Sequence, residues 1–142
     1  MDRRPLSLRT LRMIWIVSLA FAAVVVCLAE FVSGAAGSQF RWSQWTVAAL
    51  GIWSAWSGYS LKHKLMLRAA KAMRGGAADA GGRGWSAAQL IGIASAVSVV
   101  LWGFVADVIL QSPRLLGGLL YATGVVILVL YRPTNLTITA PS

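Results

Sequence analysis

The sequence predicts an all-α fold: an integral membrane four-helix bundle of two hairpins, with an amphipathic cytoplasmic extension on the second helix. Three observations predict it. Four apolar stretches, 11–32, 42–61, 85–110 and 115–131, approach the ~20 residues that about 30 Å of hydrocarbon demands. Charged residues make up 12% of the chain against about 25% in soluble domains, and 58% of residues are hydrophobic. The cations also gather on one side of the apolar stretches.

That asymmetry sets the orientation. With the N-terminus in the cytoplasm, Arg3, Arg4, Arg9, Arg12, Lys62, Lys64, Arg68, Lys71, Arg74, Arg83 and Arg132 all fall inside, leaving Arg41 and Arg114 outside. The positive-inside rule therefore predicts a multi-pass protein of a bacterial inner or plasma membrane, with both ends cytoplasmic. A net charge of +9 would point to nucleic acid in a soluble protein. Beside helix ends it serves topology first, so no nucleic-acid partner is expected.

Helix one follows a basic flank. Its apolar run and Ser33-Gly34-Ala35-Ala36 loosely imitate a signal peptide, but the run has the length of a membrane span, and a retained helix is expected. Cys27 has no second cysteine with which to form an intramolecular disulfide and reads as a packing residue. Gly34 to Ser38 form a short connector, which predicts that helices one and two are antiparallel neighbours.

Helix two has two unlike faces. Ala48, Gly51, Ala55 and Gly58 form a small-residue face, and Trp42, Trp45, Trp53 and Trp56 fall within about 80° of arc on the other. Small residues let helix backbones approach closely in lipid, where burial supplies no driving force. The tryptophans read first as lipid-facing and interfacial rings, and second as a platform for a flat ligand such as a quinone or carotenoid, or for a partner subunit. Beyond residue 61 the pattern turns amphipathic: Lys64, Arg68, Lys71 and Arg74 lie opposite Leu65, Ala69 and Met73. That basic face suits anionic lipid headgroups, or is simply a solvated loop that satisfies topology.

The run 75–84, rich in glycine, reads as a flexible cytoplasmic linker. Helix three then carries Ala88, Gly92, Ala96 and Gly103 on one stripe, which the spacing predicts to pack against the small face of helix two. Gly117, Gly118 and Gly124 would bring helix four close as well. Pro133 stops helix four, and 134–142 reads as a short tail. The whole is expected to be one membrane domain.

Candidate chemistry is sparse. Glu30 lies 18 residues beyond Arg12 and Asp107 lies 22 beyond Trp85, or ~27 and ~33 Å along a helix, so both reach the outer boundary of the core. Arg41 and Arg114 share that level. The four form either rim salt bridges or a site for a proton or cation. His63 is the sole histidine, and the chain has no serine triad pattern, Walker A sequence, dinucleotide fingerprint or CxxC. No catalytic residue, metal or cofactor is expected.

The segment from Ala87-Ala88-Gln89-Leu90-Ile91-Gly92 through Leu101-Trp102-Gly103-Phe104-Val105 resembles a hairpin of rotary-ATPase proteolipid subunits over about a sixth of the chain. The mid-helix carboxylate of that family would fall near Val97, so its functional feature is missing. The early Glu30 also resembles that of small multidrug transporters, but it stands too late in helix one and the cytoplasmic loop is too long. Membership of neither family follows.

The sequence thus leads to a non-enzymatic membrane protein, an accessory or assembly subunit of a larger complex or a self-associating chain. A proton- or ion-coupled transporter working as a dimer through Glu30 and Asp107 is the alternative. Lipid or quinone binding along the tryptophan face is a third reading.

Overall fold

The structure, a computed structural model, describes residues 7–32, 42–111 and 114–133. Arg41, the connector 33–40, Pro113 and the tail 134–142 lie outside the described residues, as does the side chain of Trp42. Four helices account for nearly everything described, and no strand occurs among these residues: α1 (Leu8–Val32), α2 (Trp42–Arg74), α3 (Ala78–Phe104) and α4 (Arg114–Leu130). α3 continues into a π-helical turn, Val105–Ile109.

Local chemistry sets the ends. The Ser7 hydroxyl accepts from the Thr10 backbone N–H at 3.1 Å and caps α1, satisfying one of the donors every helix start leaves open. α2 runs unbroken for 33 residues, about 50 Å at 1.5 Å per residue, so the basic extension belongs to the same rod. It ends where Gly76 takes φ +82°. Ala77 N–H then reaches the Ala72 carbonyl at 3.0 Å and Gly76 N–H reaches that of Met73 at 3.2 Å, the two bonds of a Schellman cap.

The expected linker 75–84 is therefore a correction. Only Gly75, Gly76 and Ala77 turn the chain, and α3 starts at Ala78. Two of the remaining glycines are contact residues: Gly81 faces Met73 and Ala69, and a Cβ on Gly84 would come 3.2 Å from that of Ala69. The glycines serve close approach where the composition reads as flexibility.

Pairing meets the expected contact of α2 with α3 and departs from the expected contact of α1 with α2. α2 and α3 form a long antiparallel hairpin with the most extensive interface of the fold. α1 packs on α3 and α4, and its backbone does not approach that of α2 among the described residues. α3 is the centre, with eleven buried residues against four on α1. The reason is its small residues, which ring the helix and admit three neighbours. Ala22, Val25 and Ala29 of α1 meet Ile93, Ala96 and Val100 of α3 and Tyr121 and Leu128 of α4. A second cluster joins Val47 of α2 to Val99, Ala106 and Leu120. A third joins Leu11, Ala69 and Trp85 at the far end.

Two helical segments, Leu8–Val32 and Ala78–Ile109, are long and apolar enough to cross a membrane. α4 has 17 residues, and α2 is diluted by Trp, Ser and Gly and by Lys62, Lys64, Arg68, Lys71 and Arg74. Among the described residues, two of the four expected spans thus have the length and apolarity to cross a membrane.

Candidate functional site

The antiparallel packing sorts charge to the two ends of the bundle. At one end the starts of α1 and α3 meet the ends of α2 and α4. There Leu11, Ala69 and Trp85 cluster, and Trp15 donates its indole N–H to the Leu128 carbonyl at 2.7 Å. Lys62 Nζ lies 3.3 Å from the centre of the Tyr131 ring, and the Arg132 guanidinium lies 6.0 Å from that of Trp15. Tyr59 and His63 stack at 6.2 Å on the same stretch of α2. Half-burial pushes the Lys62 ammonium down to about 8, because a desolvated cation is disfavoured. Lys64, Arg68, Lys71 and Arg74 are exposed, with the opposite, Ala69 side of the rod laid on α3.

The opposite end holds two of the three described acids. Asp107 sits in the π turn and is 6% exposed, while Glu30 near the end of α1 and Arg114 at the start of α4 are exposed. A Cβ added to Gly117 would meet the Asp107 Cβ at 3.0 Å, so α4 comes close enough for the carboxyl to lie across its backbone. One turn along α4, Tyr121 packs its ring over Gly103, where an added Cβ would be 2.9 Å from Cδ1. The Tyr121 hydroxyl is buried without a hydrogen-bond partner, and it lies within electrostatic range of Asp107 and Glu30. Gln44, 1% exposed, opens α2 at this same end.

The small-residue faces are used within the chain. Gly58 of α2 receives Ser95 of α3, yet Gly51 receives Leu120 of α4. Ala48 and Ala55 are half-buried, and Ala88 and Ala96 fully buried. Gly92 lies under Tyr131 and under Lys62 of α2, and Gly103 under Tyr121 of α4, so the α3 glycine stripe serves the α4 side as well as the α2 side to which the spacing pointed. Gly118 faces open space.

Trp45, Trp53 and Trp56 project outward, Trp53 at 69% exposure. They share that side with Ile52, which is also exposed. Between α2 and α3 a shallow groove of about 260 Å³ is lined by Ser54, Ser57, Ser95 and Ser98. Its hydroxyls are engaged: Ser95 and Ser98 donate to the Gly92 and Ala94 carbonyls at 2.9 Å, and Ser54 accepts the Trp102 indole N–H at 3.1 Å. No three of His, Cys, Asp and Glu come together as metal ligands among the described residues.

Sequence reasoning named Asp107 and Glu30 but missed Tyr121, the Lys62–Tyr131 pair and the π turn. Tyrosine within an apolar helix was the available signal, since its hydroxyl needs a partner when buried. The residues that converge at each end thus come from the geometry alone, for no family model, curated protein or solved structure matches the chain.

Proposed function

We propose that the chain is a non-enzymatic integral membrane protein that crosses the bilayer four times, both ends cytoplasmic, and works as an accessory or assembly subunit or as a self-associating unit. The observation that carries this reading is the sorting of charge. Of the ten described Lys and Arg residues, all but Arg114 lie at one end of the bundle or on the rod that extends from it. Between the ends the outer surface is apolar: Ile16, Val17, Val24 and Leu28 of α1, Trp53 and Trp56 of α2, and Leu119 and Val126 of α4 are all exposed. Such a girdle is a liability in water and suits lipid. On this reading α2 spans from Trp42 to Leu61, and the exposed cations beyond it lie at the level of anionic headgroups.

The subunit role rests on the tryptophan face. The small faces of α2, α3 and α4 are taken up within the chain, so the outward surface left for a protein partner is aromatic, and Trp and Tyr are enriched where protein partners meet. Native mass spectrometry from mild detergent tests this. A stoichiometric partner or homo-oligomer is expected, lost when Trp53 and Trp56 are both changed to Leu. A lone 15.1 kDa chain from native membranes removes the subunit role.

A further inference from the structure

Asp107 is the one carboxylate among the described residues that is nine-tenths buried; Glu30 and Asp79 are exposed. Buried carboxylates within membrane helices mark proton and ion sites. Burial alone assigns nothing. The second observation is Tyr121, 6% exposed, whose hydroxyl has no hydrogen-bond partner. A helical tyrosine leans toward the N-terminus of its helix, and on α4 that is the Gly117 and Asp107 end. The ring lies one turn from the carboxyl, over Gly103, with its hydroxyl within electrostatic range of Asp107.

The backbone is shaped for the same pair. Asp107 is the middle residue of the π turn, where Leu110 N–H reaches back five residues to the Val105 carbonyl at 3.0 Å. Single π turns within α-helices occur often at functional sites, because one extra residue re-aims the side chains beside it. Gly117 leaves the space into which this side chain is turned.

We propose that Asp107 and Tyr121 form a proton-binding site, with Glu30 as its exposed neighbour toward solvent. A proton from solution adds to the Asp107 carboxylate, giving a neutral carboxylic acid whose O–H donates to the Tyr121 hydroxyl oxygen. No bond other than O–H forms or breaks.

Every charged group facing the pair bears on this. α1 contributes the exposed Glu30, which like Asp107 lies within electrostatic range of Tyr121. α4 contributes Tyr121 and, at its start, the exposed Arg114. α2 contributes the uncharged Gln44 at this end, its own cations starting 18 residues later at Lys62, and Asp79 and Arg83 of α3 lie at the far end.

The inference rests on the membrane reading for its purpose but not for its test. Infrared difference spectra of the purified full chain, taken between about pH 5 and about pH 9, read the carboxyl directly. A protonated-acid C=O band is expected that is absent from Asp107→Asn, moves to higher frequency in Tyr121→Phe, and persists in Arg114→Gln. Three results would overturn the site: no acid band that depends on Asp107, a band indifferent to Tyr121→Phe, or proton release at constant pH when sodium is added, which would assign a metal cation in place of the proton. Asp107→Asn is close in shape, and circular dichroism of each variant shows that the helices persist. A misplaced topology would leave all these spectra unchanged, so the two readings fail separately.

Discussion

Lys62 of α2 places its ammonium 3.3 Å from the centre of the Tyr131 ring at the end of α4, and both side chains lie over Gly92 of α3. One cation thus ties three helices at the end where the basic residues collect. A partly desolvated ammonium over an aromatic face is worth about 1 to 2 kcal/mol, which offsets part of the cost of burying it.

That burial makes stability depend on pH in a stated direction. The Lys62 amine is held at about 8 in the fold against 10.5 in the unfolded chain, so between those values the unfolded chain binds more protons. Stability then rises with pH across that window, and the cost of the buried cation is fully present below it. Thermal unfolding in detergent is expected to shift upward from pH 8 toward 10.5 in the native chain, and Lys62→Met is expected to flatten that rise.

Trp15 acts at the same end by a different bond. Its indole N–H, 2.7 Å from the Leu128 oxygen, satisfies one of the four carbonyls that the last turn of α4 leaves open. Trp15→Phe keeps an aromatic ring but orphans that carbonyl beside a fully buried Leu128. A loss of about 1 to 3 kcal/mol is expected in reversible unfolding from mixed micelles.

Gly124 and Gly118 form a matched pair on α4. An added Cβ at Gly124 would meet Val100 Cγ2 at 2.6 Å and the Ala96 carbonyl oxygen at 3.0 Å, whereas at Gly118 it meets nothing within 4 Å. Backbone cannot give way as a side-chain tip can. Gly124→Ala is expected to lower stability by about 1 to 3 kcal/mol. Gly118→Ala is expected to raise it by about 0.5 to 1 kcal/mol through helix propensity. Melting curves of the two variants side by side check both signs.

The helices themselves were legible because apolar runs punctuated by glycine, proline and cations leave little choice of element, and the run of α2 through to Arg74 follows from one amphipathic period. Their partners were not. Gly92, Ala96 and Gly103 announce a close approach, but a small residue admits any neighbour equally, and only the fold shows Tyr121 and Tyr131 of α4 in those notches. Glycine misled at 75–84 for a related reason: composition does not distinguish a residue that supplies left-handed backbone, as Gly76 does, from one that makes room, as Gly84 does. At the acidic end Asp107 was visible as a carboxylate in an apolar run. The π turn that buries it and the tyrosine opposite depend on tertiary contacts that one chain's periodicity does not carry.

Cysteine accessibility decides most directly whether this bundle crosses the bilayer with its basic end in the cytoplasm. In a Cys27→Ser background, Arg114→Cys and Lys71→Cys place single thiols at exposed positions at the two ends. An impermeant maleimide applied to intact cells is expected to label the Arg114→Cys variant at once and the Lys71→Cys variant only after the membrane is opened. Labelling of both in intact cells, or of Lys71→Cys alone, would contradict the account.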